Sequence, residues 1–183
     1  VLQRLLAEAD LSADVVHVKG GKANLLRDLR GYNHAARFQP WVAMIDLDHD
    51  ADCAPPARAA WLPTPARRMQ LRVAVHAVEA WLLTDAERLA ECIRVPPARV
   101  PMHPEAETDP KRKLVALAQR SRSSRVREDL VPRPGSGRAV GPGYLSRMAE
   151  FVLGPWRPDV AAQRADSLRR CLRRLRDMAA GGR

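Results

Sequence analysis

Long apolar runs are missing from this sequence. No stretch approaches the ~18 consecutive apolar residues of a membrane helix, and no secretory signal pattern stands at the front. Cysteine is scarce: Cys53, Cys92 and Cys171 are odd in number and far apart. With no C-x-x-C and no Cys/His spacing, neither a zinc ribbon nor a disulfide framework is available, and reduced thiols in a cytoplasmic protein are expected. The five histidines, His17, His34, His49, His76 and His103, form no H-E-x-x-H. Eight aromatics in 183 residues argue against a stacking platform for single-stranded nucleic acid. Lysine is rare too, supplying only four of the 31 cationic residues.

Arginine is abundant and unevenly placed. Residues 111–183 hold 18 Lys/Arg against 6 Asp/Glu, whereas residues 1–110 hold 13 against 15, so the net +10 resides in the C-terminal part. Phosphate backbones are drawn to such a surface, although a solvated arginine face or a base-composition bias accounts for it equally simply. The length suits one domain with a real core and a helical appendage.

The central stretch is Trp41-Val42-Ala43-Met44-Ile45-Asp46-Leu47-Asp48-His49-Asp50. An unbroken apolar run with β-branched members reads as a buried strand in a parallel sheet. Ligands of open α/β sheets collect at the carboxyl ends of strands, where Asp46 and Asp48 stand. On extended backbone, period-two spacing sends both carboxylates the same way. Like charges so placed call for a cation or a shared proton, and Mg²⁺ or Mn²⁺ suits carboxylate oxygens. Among the histidines, only His49 lies in this cluster. An EF-hand loop counted from Asp46 needs Gly and Glu where Ala51 and Ala57 stand, so it is excluded. A haloacid-dehalogenase-like phosphatase expects Thr or Val where Asp50 stands. A nucleotide-sugar transferase D-x-D and plain solvated loop aspartates remain as rivals.

Around this stretch, residues 1–9 read as a helix, 14–18 as a short strand, and 23–29 as a helix after Gly20-Gly21-Lys22. The glycine-lysine turn suggests phosphate contact by Lys22 but lacks the Walker spacing. Residues 54–65 read as a Pro/Ala-rich loop with at most one helical turn. Residues 70–76 read as a strand alternating apolar Leu71, Val73 and Val75 with polar Arg72 and His76. Helices follow at 78–83 and, with Asp85 as cap, at 86–93. Asp109-Pro110 is a specific helix start, leading to a helix through Arg120. Residues 121–143 read as a flexible connector, 144–153 as a helix, and 160–179 as a final helix with an Arg169/Arg173-bearing face. This order predicts an α/β fold with a mainly parallel sheet flanked by helices, comprising residues 1–108, and a basic helical extension over 109–183 packed on it.

These pieces resemble a TOPRIM-like bacterial family catalogued as domain of unknown function 4276. The likeness is carried by Gly20-Gly21-Lys22, Gly31-Tyr32-Asn33-His34-Ala35-Ala36-Arg37, Ile45-Asp46-Leu47-Asp48, Val78-Glu79-Ala80-Trp81-Leu82-Leu83-Thr84-Asp85, Asp109-Pro110-Lys111, Gly141-Pro142-Gly143-Tyr144 and Ser167-Leu168. It implies a TOPRIM-like fold and Mg²⁺-dependent phosphodiester chemistry on nucleic acid, in the manner of nuclease subunits of ATPase-coupled phage-defence systems with an ABC/OLD-type ATPase partner. In that pattern Asp46 and Asp48 match the later Asp-x-Asp. A first glutamate is expected upstream of Val1, since residues 1–9 read as the helix after the first strand.

Glu79 is the further candidate acid for catalysis and metal binding. Lys111, Arg169 and Arg173, with Lys22, are candidate phosphate or nucleic-acid contacts. Two other readings stand beside the nuclease: a non-enzymatic subunit binding nucleic acid or an ATPase, and a metal-dependent phosphatase or transferase acting on a small phosphate ester.

Overall fold

The computed structural model describes residues 1–181; positions 182 and 183 of the expected extension lie outside the described residues. Helix α1 (Leu2–Glu8) is followed by an irregular stretch and α2 (Lys22–Ala35). Gly20 at φ +67° and Gly21 at φ +135° turn the chain into α2, in backbone that L side chains rarely adopt. Strand β1 (Trp41–Asp46), helix α3 (Ala54–Trp61) and strand β2 (Met69–Ala74) form a β-α-β unit. The strands pair in parallel, with Trp41 opposite Met69 and Asp46 opposite Ala74.

Helices flank this sheet as expected of an α/β fold, but among the described residues it has only two strands. The strand expected at 14–18 does not form. Val15, Val16 and Val18 are 69%, 47% and 90% exposed, because a strand without a hydrogen-bonded neighbour has neither ladder nor covered face. Ring contacts hold the segment instead: His17 stacks on Trp41 at 5.8 Å and lies 5.7 Å from Tyr32.

The Pro/Ala-rich stretch expected as loop forms α3. Its prolines occupy the first turn, where a missing N–H is harmless, and Ala57, Ala59 and Ala60 favour helix thereafter. Strand β2 departs from the expected alternation. Arg72, expected on a polar face, is only 9% exposed, because β2 lies between α3 and the C-terminal helix.

After β2 come α4 (Val78–Thr84), α5 (Ala86–Ile93), two short 3₁₀ turns, and α6 (Pro110–Gln119). Asp109 caps α6 by accepting from the Arg112 amide at 2.8 Å. Asp85 stands at the N-cap position of α5 without capping it. Its buried carboxylate instead accepts from the Arg157 amide (2.9 Å) and guanidinium (Nη2, 2.6 Å).

Part of the expected connector is α7 (Ser124–Leu130), capped by Ser123 and anchored by buried Val126 and Leu130. Gly141 packs against the end of α7 so closely that a Cβ there would lie 2.4 Å from the Asp129 carbonyl oxygen. That turn delivers Tyr144 to the start of α8 (Tyr144–Leu153). The single final helix expected from 160 is broken into α9 (Pro158–Ala162) and α10 (Asp166–Gly181). Glu105 creates the new start, accepting from the amides of Asp166 (2.7 Å) and Ser167 (3.0 Å).

Two apolar clusters meet at the sheet. Ala43 and Ile45 of β1 join Leu29, Leu47, Leu71 and Val73 under α2 and α3. Val42 and Met44 point the other way, onto a larger cluster built from Leu5, Trp81, Leu114, Phe151, Trp156 and Leu172. The basic C-terminal helices therefore share a core with α1, α4 and α5. Among the described residues no helix is long and apolar enough to cross a membrane.

Candidate functional site

Four elements converge where β1 ends. Asp46 is its last residue, and its Oδ1 accepts from the Val78 amide at 3.0 Å, holding the start of α4 against the sheet. The next residue of α4 is Glu79, only 6% exposed. Glu79 Oε1 accepts from the Tyr144 hydroxyl at 3.0 Å, and Lys111 Nζ lies 3.5 Å from the same oxygen. Tyr144 begins α8 and Lys111 stands in the first turn of α6. Side chains from the first turns of two ten-residue helices thus reach one carboxylate.

The electrostatics follow from this burial. Desolvation pushes the Asp46 carboxyl up to about 6; the charges of Glu79 and Asp48 act in the same direction, and the Val78 amide and Lys111 oppose them. Burial, together with the charge and hydrogen bond of Glu79, raises the Tyr144 phenol well above its ordinary range, so it donates rather than ionises. Glu79 Oε2 is buried without a hydrogen-bond partner. A buried carboxylate oxygen with no donor calls for a cation or a proton.

Asp48 is placed differently from the period-two expectation. Strand β1 ends at Asp46, and Asp48 adopts φ +51°, so extended spacing no longer applies. Its carboxylate is exposed and paired with Lys22 Nζ at 2.7 Å. The same ammonium reaches Asp50 Oδ2 at 3.1 Å and the Leu47 carbonyl at 3.0 Å. Burial works to lower the Lys22 pKa, but its bonds to Asp48 and Asp50 outweigh that and raise it. Lys22 thus ties the start of α2 to the acidic loop. His49 is exposed, and His76 Nδ1 lies 3.0 Å from the Asp48 carbonyl.

Asp46, Glu79 and Lys111 are therefore brought together, while Asp48 and Lys22 form a neighbouring pair. Arg169 and Arg173 lie on α10: Arg169 is paired with Asp166, and Arg173 lines a groove beside β2. Among the described residues no group of three or more His, Cys, Asp or Glu side chains could hold a metal ion. Asp46 and Glu79 still suit a hard cation, since Mg²⁺ commonly takes one or two carboxylates and completes its shell with water and substrate phosphate.

Tyr144 is the member of this site that its residue type did not announce. The hydroxyl's partner is 65 positions away, beyond the reach of any local pattern. No family model, curated protein or solved structure matches the chain.

Proposed function

We propose that this chain is a Mg²⁺- or Mn²⁺-dependent nuclease-type protein on a TOPRIM-like scaffold, cleaving phosphodiesters beside Asp46 and Glu79. The observation that carries this reading is the donorless, buried Oε2 of Glu79 next to a carboxyl raised to about 6. Asp46 and Glu79 would hold the metal. Bound there, a divalent ion supplies an activated water and charge stabilisation for the leaving oxygen. Tyr144 orients Glu79 by donating to Oε1. Lys111, half-exposed at the mouth, can turn from Glu79 to a substrate phosphate. Asp48 contributes only by leaving Lys22, so it ranks below Asp46 and Glu79.

Incubation of labelled DNA and RNA with Mg²⁺ or Mn²⁺ and the wild type, Asp46→Asn, Glu79→Gln and Asp48→Asn tests the assignment. Cleavage lost with Asp46→Asn and Glu79→Gln, and reduced less by Asp48→Asn, supports it. Undiminished cleavage by an Asp46→Asn, Glu79→Gln double variant contradicts it.

A second reading is a non-enzymatic subunit for nucleic acid or an ATPase. It draws on the internal cations: Lys22 neutralises Asp48 and Asp50, and Lys111 faces Glu79. Binding that needs no metal, falls steeply with salt and brings no cleavage favours this reading.

A further inference from the structure

On the outer side of β2, between α3 and α10, lies a groove of about 490 Å³, a volume suited to a small ligand. Leu71, Val73 and Val75 line it with Ala54 and Pro55 at the start of α3. Five arginines also line it: Arg58 from α3, Arg72 from β2, and Arg170, Arg173 and Arg174 from α10.

Arg72 is the informative member. It is 91% buried, and its Nε has no hydrogen-bond partner. Burial lowers its pKa, the neighbouring Cys171 thiol acts against that, Arg58 and Arg174 add to it, and no carboxylate is among these neighbours. A guanidinium withdrawn from water without an acid is costly, and cores seldom tolerate one that does no work.

The two acids that line the groove are engaged elsewhere. Glu105 accepts from the Asp166 and Ser167 amides and the Ser167 hydroxyl. Asp166 pairs with Arg169 and Arg170. Arg58, Arg72 and Arg173 have no acidic partner among the described residues.

We propose that this groove is a phosphate-binding site, with Arg72 as its buried anchor and Arg58 and Arg173 as rim contacts. A lone carboxylate brings one charge and satisfies one guanidinium fork. Three acid-free arginines around one small volume call for two or more negative charges on closely spaced oxygens, as in a pyrophosphate or successive phosphodiesters. The apolar floor suits the organic part of such a ligand. The site is separate from the Asp46–Glu79 carboxylates and does not depend on the nuclease reading.

The test is binding in EDTA, so that metal chemistry plays no part. Inorganic pyrophosphate is titrated calorimetrically into the protein. A fluorescent single-stranded oligonucleotide is then followed by anisotropy, with pyrophosphate as competitor. The variants are Arg72→Met and, on the exposed rim, Arg58→Gln with Arg173→Gln, each checked by thermal melting. The expected result is binding of pyrophosphate, weakened roughly tenfold or more in either variant, as loss of a charge-assisted bond implies. Oligonucleotide binding that pyrophosphate displaces identifies strand phosphates as the source. Pyrophosphate binding alone identifies a small phosphate ester. If neither probe binds, or if binding is unchanged in the variants that fold, the proposal is overturned. The rim variant decides the matter if Arg72→Met does not fold.

Discussion

Asp46→Asn should stabilise the protein near neutral pH and leave it unchanged in acid. The carboxyl of Asp46 is raised from 3.8 to about 6, chiefly by burial. An acid with a raised folded-state pKa binds its proton more tightly in the folded chain than in the unfolded one. Folded stability therefore falls as pH rises through the window from 3.8 to about 6. At full value the shift makes the charged form cost about 3 kcal/mol, and solvent reaching this partly exposed group trims it to roughly 1–2 kcal/mol. Asparagine keeps an oxygen for the Val78 amide and removes the charge. The expected gain is roughly 1–2 kcal/mol near neutral pH, or about 2–8 °C in Tm, shrinking to a small fraction of that at about pH 4 and to nothing well below 3.8. Urea denaturation of both proteins at the two pH values without divalent ions reads this directly. Equal effects at both pH values, or a less stable variant near neutrality, would show that burial of the Asp46 charge does not cost stability.

Tyr144→Phe removes the hydroxyl that donates to buried Glu79 Oε1, and should cost about 1–3 kcal/mol in urea denaturation while lowering any metal-dependent cleavage. Asp85→Ala removes the buried acceptor of the Arg157 amide and leaves the Arg157 guanidinium to exposed Glu87; the unpaired amide should cost about 1–3 kcal/mol by the same measurement. Gly141→Ala drives a Cβ to 2.4 Å from the Asp129 carbonyl and 2.7 Å from the Val131 amide, both backbone atoms. The forced shift should destabilise by about 1–3 kcal/mol or more and displace Tyr144, read as a lower Tm and altered near-ultraviolet tyrosine signal.

Local signals in the chain carried the strands around Asp46 and Leu71 and most of the helices. Asp109-Pro110 reads as a helix start because cap and proline act within one turn, and the cap bond to the Arg112 amide forms. The misread segments depended on distant partners. Val15-Val16-His17-Val18 has strand composition, but a strand exists only with a neighbour, and its place is set by the Trp41 ring. The final helix is cut at Asp166 because Glu105, 61 positions away, accepts from its amide. Asp46 and Glu79 were legible as candidates from their positions at strand and helix ends. The placement of Asp48 was not, because period-two spacing assumes extended backbone and the chain turns left-handed there. Arg72 gave no local signal at all: a polar residue in an alternating strand reads as solvated until the second layer of helices is known.

The most direct measurement of the central claim is calorimetric titration of Mn²⁺ into the wild type and into Asp46→Asn and Glu79→Gln, at about pH 7.5 and about pH 5. A cation held by Asp46 and Glu79 competes with the proton that Asp46 takes up near 6. Binding is expected at the higher pH, with strong weakening at the lower and loss in both variants. Binding of equal strength in the variants, or none in the wild type at either pH, contradicts it.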